Sequence, residues 1–87
     1  MMTFHEDTDN GFTAEMKAFV MCRGGLKHYL ARAQDLGVTD CDLRAVKKKA
    51  FMEVSFVARG LNSPGYYNLV LGPQGRVVSK ESQYPKA

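Results

Sequence analysis

The fold of this chain is decided by residues 29–48, which read YLARAQDLGVTDCDLRAVKK. Small and apolar residues recur in this segment at the spacing of two short helices joined by a tight turn. Ala33 is small enough for two helices to cross closely, and Gly37 can adopt the positive φ that a sharp turn requires. Leu43 and Val46 would bury the inner side of the second helix, which leaves its outer side free for a major groove. The segment therefore predicts a helix-turn-helix.

Two helices are predicted before this turn. Thr13 can cap the first, which the two glycines after Arg23 end. The second is predicted from about residue 26 to residue 36, because its apolar residues form one stripe at helical spacing. Gly37 ends it.

A third helix is predicted to begin behind Thr39 or Asp40, both good N-caps, and to end near Arg59. From Leu43 onwards its apolar residues keep to the same helical spacing. Residues 51–58 also alternate between apolar and other side chains, which is the pattern of a half-buried strand. Helix is favoured here, and a strand over 51–58 is the alternative.

Residues 66–79 carry a hairpin signal, with a tight Gly-Pro-Gln-Gly turn between two strands. The first strand has apolar side chains on both faces, so it needs cover on both. Helices can cover one face, and a second copy of the chain could cover the other and pair with the free strand edge. We therefore expect a homodimer whose interface contains Tyr66, Asn68, Val70 and Tyr84.

The predicted organisation is a single domain, since 87 residues are enough for one modest core. Residues 1–12 are expected to be a mobile acidic arm, residues 13–80 a single helix-turn-helix domain with its hairpin, and residues 81–87 a polar tail. The expected fold class is mainly α with a C-terminal β-hairpin, built on a three-helix helix-turn-helix domain.

Composition and charge narrow the function classes. The net charge is +3, and all 12 Lys and Arg residues lie after residue 10, so the body of the chain is basic and suits a polyanionic partner. No apolar run approaches the ~18 residues of a membrane span, and no signal peptide is visible. We expect a cytoplasmic protein in which Cys22 and Cys41 stay reduced. No catalytic set, metal-ligand spacing or cofactor motif is recognisable, so no enzyme, metal or cofactor is expected.

Several segments resemble small phage and plasmid repressors. Residues 33–38, AQDLGV, are similar to the corresponding part of Cro-type repressors, and residues 67–78, YNLVLGPQGRVV, are similar to their dimerising hairpin. Tyr84-Pro85 resembles the aromatic–proline arm of the same family. Residues 43–71 also resemble plasmid repressors of the KorA (TrfB) type, in which a helix continues before a Pro-Gly-aromatic turn. The resemblance implies a sequence-specific transcriptional repressor of a phage or plasmid that binds double-stranded DNA as a dimer.

On this hypothesis, Arg44 and Lys48 face away from the apolar stripe of the third helix and contact the major groove. Further contacts, mainly to the phosphate backbone, are expected from the remaining basic and hydroxyl side chains nearby, which are Thr39, Lys47, Lys49, Lys27 and Arg32.

Two features depart from the repressor pattern. Residues 49–65 separate the presumed recognition helix from the hairpin, where a Cro-type chain needs only a few residues. Asp40 and Asp42 lie where phosphate contacts are usually made, and a carboxylate there repels the DNA backbone. They favour the alternative function, a small phage-encoded inhibitor that binds a host protein complex through its hairpin and tyrosines, without DNA binding.

Overall fold

A computed structural model describes residues 2–60 and 62–86 and contains strands and helices in mixed order. The elements are β1 (Thr3–Thr8), α1 (Ala14–Met21), α2 (Gly24–Asp35), β2 (Asp40–Lys48), β3 (Phe51–Ala58), β4 (Gly65–Leu71), a 3₁₀ turn (Pro73–Gly75) and β5 (Val77–Gln83). Met1 of the predicted arm and Ala87 of the predicted tail lie outside the described part, and so does Leu61, which follows the predicted third helix.

The strands form one mixed sheet in which strand order follows chain order, from β1 to β5. β1 and β2 run parallel, and α1 and α2 lie in the connection between them. A parallel pair needs such a long crossover because the chain must return to the same end of the sheet. From β2 onwards each strand is antiparallel to the one before it. The predicted hairpin is confirmed as the β4–β5 pair, although β5 continues to Gln83.

The first two predicted helices are present, but the two glycines expected to end the first are instead the first residues of α2, and α1 ends at Met21. The Thr13 side chain caps α1, since its Oγ1 accepts a hydrogen bond from the backbone N–H of Met16 at 3.1 Å. Gly37 ends α2 with φ at +90°, and the N–H of Val38 donates to the Ala33 carbonyl at 3.0 Å. The positive φ expected at Gly37 is therefore present, but a strand follows it instead of a helix.

The predicted third helix is wrong, and so is the helix-turn-helix. Its first half is β2, in which buried Cys41, Leu43 and Ala45 alternate with outward-facing Asp42 and Arg44. The same letters also fit helical spacing, so the local pattern allowed either period. The strand is favoured because β2 pairs with β1 on one side and β3 on the other. A helix here would leave the backbone groups of both neighbours without these partners.

The second half of the predicted helix is β3, so the alternative of a strand over residues 51–58 is the correct one. Residues 3–8, expected in a mobile arm, form β1, because Met2 and Phe4 pack inward although the segment is otherwise polar. The fold class is thus a five-stranded sheet with two helices, and not a mainly α domain. This sheet also removes the basis for the resemblance to Cro-type and KorA-type repressors.

The hydrophobic core lies between the two helices and one face of the sheet. Val20, Leu26, Tyr29 and Ala33 supply the helical side, and alternate residues of β1 to β4 supply the other. Phe56 is fully buried at the centre. Full burial of each large apolar side chain stabilises the fold by about 1.5–3 kcal/mol. The helices thus cover one face of the sheet and leave the other without them.

Candidate functional site

The helix-free face of the sheet, which we call the open face, is left uncovered by α1 and α2. Within residues 2–60 and 62–86, the helices pack only against the opposite face. Strand register places alternate residues of four neighbouring strands on the open face. They are Asp42, Arg44 and Val46 of β2, Glu53, Ser55 and Val57 of β3, Tyr66, Asn68 and Val70 of β4, and Ser79, Glu81 and Gln83 of β5.

The centre of the open face is neutral and partly buried. Val57, Tyr66 and Val70 contribute apolar surface there, and Ser55 and Asn68 lie between them as a directly paired couple. Partial burial without a covering element means that these side chains shield one another across the strands. Such a surface is less hydrated than the rim and is the part of the face best suited to contact another protein.

Glu53 lies on β3, and the other charged residues named on the open face lie on the outer two of these strands, β2 and β5. Arg44 pairs in register with Ser55, Ser55 with Asn68, and Asn68 with Glu81, so the four form one row across the sheet. Adjacent strands are about 4.8 Å apart, which places Arg44 and Glu81 roughly 14 Å from each other at opposite ends of the row. Along this row Arg44 and Glu81 carry opposite charges on either side of the neutral centre, and Asp7 of β1 continues the row beyond Arg44.

Two ion pairs lie at the end of β2 where the strand begins. His5 Nε2 is 2.8 Å from Asp40 Oδ1, and the Arg59 guanidinium donates two hydrogen bonds to the Asp42 carboxylate, at 2.6 and 3.0 Å. The hydrogen bond from His5, followed by one from Thr39, lowers the pKa of Asp40 below its ordinary value. The hydrogen bonds from Arg59 lower the pKa of Asp42 in the same way.

These pairs explain why two aspartates occupy this part of the sequence. Asp40 and Asp42 do not begin a recognition helix but extend from a strand toward basic side chains of β1 and of the segment after β3. Sequence reasoning did not identify His5 or Arg59 as partners. They lie 35 and 17 residues from the aspartates that they contact, and no local pattern links them.

The predicted DNA-contacting residues do not share one surface. Arg44 and Lys48 lie on the open face of β2, whereas Lys47 lies on the other side of the same strand. The remaining positions are dispersed: Lys49 in the β2–β3 turn, Thr39 with its hydroxyl on the Asp40 carboxylate, and Lys27 and Arg32 on the exposed side of α2.

Three of the four predicted interface residues are brought together. Tyr66, Asn68 and Val70 lie side by side on the open face. Tyr84 lies elsewhere: its ring stacks on Tyr29, with centroids 5.0 Å apart and planes 11° apart. The Tyr29 hydroxyl also donates to the Gln83 carbonyl at 2.8 Å, so this end of the chain is fastened to α2 and does not belong to the open face.

A concave surface, which we call the groove, lies at the opposite end of the sheet from Asp40 and Asp42. It has a volume of about 510 Å³ and lies between α1, the β2–β3 turn and the β4–β5 turn. Phe19 and Phe51 line it and remain 48% and 45% exposed. Phe19 is next to Val20 in α1, but only Val20 reaches the core.

The thiols and acids do not form a reactive site. Cys22 is exposed and Cys41 is buried, and both are free thiols. Burial, followed by the nearby Asp42 carboxylate, raises the pKa of Cys41 to about 12, so its thiol is a poor nucleophile. Among the described residues no three His, Cys, Asp or Glu side chains are placed to hold a metal ion. None of the described helices has the length and apolar character needed to cross a membrane.

Comparisons of the chain with models of protein families, with curated proteins and with solved structures give no match.

Proposed function

We propose that the protein is a small, non-enzymatic protein-binding module of the cytoplasm that assembles as a homodimer through its open face. The observation that carries this proposal is the partly buried, neutral centre formed by Ser55, Val57, Tyr66, Asn68 and Val70, which no described element covers. Covering a surface of this kind releases water from apolar groups, which is the main favourable contribution to protein association. Two sheets that pack face to face are a common arrangement, with about 10 Å between them.

Symmetry and charge favour a second copy as the occupant of the open face. When two identical faces meet, the two-fold axis lies in the plane between them. An axis parallel to the strands, midway between β3 and β4, places β2 over β5 of the other protomer. Arg44 then faces the partner's Glu81, and Ser55 faces the partner's Asn68. In one adjacent row, Val57 faces the partner's Tyr66, and in the other Glu53 faces the partner's Val70.

An axis across the strands fits less well. An axis that runs along the row from Arg44 to Glu81 would place Arg44 opposite the partner's Arg44 and Glu81 opposite the partner's Glu81. Like charges opposite one another destabilise an interface. The alternation of charge along the row therefore selects the axis that runs along the strands, with two equivalent Arg44–Glu81 pairs in the dimer.

The oligomeric state and one substitution test this proposal. We expect sedimentation equilibrium at micromolar concentration to give a dimer for the wild type and a monomer for Val70→Glu, because the new carboxylate lies at the centre of the face, opposite the partner's Glu53. Ala31→Glu, which adds the same charge on the exposed side of α2, is the matched control and should remain dimeric. A monomeric wild type, or a Val70→Glu variant that dimerises like the wild type, would refute the proposed homodimer.

Binding to double-stranded DNA stays a prediction and now rests only on the net charge of +3 and the lysines at 47–49. Without a helix-turn-helix, we expect any such binding to consist of phosphate contacts that are insensitive to base sequence. Titration of a fluorescent random duplex at 50 and 200 mM salt tests it. Absence of binding at the lower salt concentration would end the DNA hypothesis and leave the protein-binding module.

A further inference from the structure

The groove has the size and lining of a small-molecule site. Its volume of about 510 Å³ falls in the range of roughly 300–1,000 Å³ typical of ligand pockets. Its apolar surface comes from Met16 and Phe19 of α1, Phe51 and Met52 of β3, and Leu71 at the end of β4. Methionine side chains are flexible and adapt to the shape of an apolar ligand.

The β4–β5 turn forms one side of the groove. Gln74, which lines the groove, is held at φ +64° in the left-handed region that a non-glycine residue rarely adopts, and Gly75 follows at φ +74°. On the facing side, Gly11 lies next to Met52 and Lys47: a Cβ placed there would be 3.4 Å from the Met52 methyl group and 3.7 Å from Cδ of Lys47.

Lys47 brings a positive charge to the groove and forms no salt bridge among the described residues, although the Glu15 carboxylate lines the same groove. The backbone N–H of Lys47 donates to Asp9 Oδ2 at 2.7 Å, which fixes the strand beside Gly11, and the side-chain stem lies along that glycine. The salt bridges of Lys and Arg among residues 2–60 and 62–86 involve Lys17 and Arg59. Lys47 thus lines the groove with its ammonium group outside these salt bridges.

We propose that the groove binds a small apolar monocarboxylate, with the hydrocarbon part between Phe19 and Phe51 and the carboxylate on the ammonium group of Lys47. The match is one of charge and polarity: the ligand brings one negative charge to one unpaired positive charge and apolar surface to an apolar lining. This site lies at the end of the sheet and shares none of the residues that form the centre of the open face, so its test is independent of the proposed homodimer.

Glu15 lines the same groove and supplies a second, opposite test. Its carboxylate lies in the first turn of α1, where the helix N-terminus stabilises negative charge, so the fold already accounts for it. A ligand carboxylate is repelled by Glu15 and attracted by Lys47. Glu15→Gln should therefore tighten binding of an anionic ligand, whereas Lys47→Gln should weaken it.

Isothermal titration of the full chain with sodium decanoate tests the proposal, with decan-1-ol as the uncharged probe. We expect one decanoate to bind per chain, about three- to tenfold more weakly in Lys47→Gln, the effect of losing one partly exposed charge-assisted hydrogen bond. Lys48→Gln is the matched control, since Lys48 is adjacent in sequence but lies on the open face, and should leave the affinity unchanged.

Three outcomes would overturn the proposal. The first is the absence of saturable decanoate binding to the wild type. The second is equal weakening by Lys47→Gln and Lys48→Gln, which would show a general effect of surface charge. The third is weaker binding of decanoate by Glu15→Gln. Phe19→Ala, which removes one wall, should reduce the affinity for both decanoate and decan-1-ol, and because Phe19 is half exposed the variant is expected to fold.

Discussion

Reversal of charge at Arg44 is the sharpest test of how two copies of this protein meet. With the two-fold axis along the strands, each Arg44 lies opposite the partner's Glu81, so one substitution changes two ion pairs. Arg44 is exposed and takes part in none of the salt bridges found among the described residues. Arg44→Glu should therefore leave the fold intact and act on association alone.

The size of the effect follows from the exposure of these pairs. A solvent-exposed ion pair contributes about 0.2–1 kcal/mol, and its reversal replaces attraction by repulsion of similar size. Reversal at the two symmetric pairs thus weakens association by about 1–4 kcal/mol in total. At 1.4 kcal/mol per factor of ten, the dissociation constant should rise between about fivefold and several hundredfold.

A charge-swap cycle measured by sedimentation equilibrium checks this magnitude. Arg44→Glu and Glu81→Arg should each weaken the dimer, and the double variant should restore an affinity close to that of the wild type, because both pairs are re-formed with opposite polarity. Lys80→Glu is the control, since Lys80 is adjacent to Glu81 but pairs with Leu69 on the opposite face. Additive weakening in the double variant would contradict the strand-parallel axis, and an effect of Lys80→Glu as large as that of Arg44→Glu would contradict the open face as the interface.

The other predictions concern stability and reactivity. Tyr29→Phe removes a hydrogen bond to a main-chain carbonyl of β5 and should lower the free energy of unfolding by about 1–2 kcal/mol in urea titrations; no change would mean that the bond is replaced by water. In the folded protein, iodoacetamide at pH 8 should modify Cys22 and spare Cys41, whose pKa burial raises to about 12; mass spectrometry that finds both thiols modified at equal rates would disprove this. Arg59 lowers the pKa of Asp42, so their pairing stabilises the fold fully at pH values above the ordinary carboxyl pKa of about 3.9. This stabilisation is lost as the pH falls through the lowered pKa of the folded state. The difference in urea midpoint between wild type and Asp42→Asn should therefore shrink toward pH 3, and a difference that is independent of pH would exclude the ion pair as its cause.

Much of the chain was predictable because its signals are local. The Thr13 cap, the positive φ of Gly37 and the β4–β5 hairpin each depend on residues a few positions apart, and all three are present. The same is true of the apolar and polar faces of β4: Tyr66, Asn68 and Val70 share the open face because strand side chains alternate. The candidate interface on β4 was therefore visible before the sheet was known.

The wrong predictions fall where the apolar residues fit both the helical and the strand spacing. Residues 40–48 fit a helical stripe through Leu43 and Val46, and they equally fit alternation through Cys41, Leu43 and Ala45. Propensity alone did not separate these patterns, because both bury apolar side chains on one side. The polar residues 3–8 carried too little apolar surface to indicate a strand, and they become one only by pairing with β2.

The sequence by itself determined the two helices, the hairpin and which of its side chains share a face, because turn chemistry and side-chain alternation are local properties of the backbone. Only the tertiary structure decided that residues 40–58 form two strands, since a central strand is stabilised by neighbours that are distant in the chain. It also decided the partners of Asp40 and Asp42, the separation of Lys47 from Lys48, and the groove between α1 and two turns. Each of these depends on contacts across the sheet, and contacts of that kind leave no pattern in the local sequence.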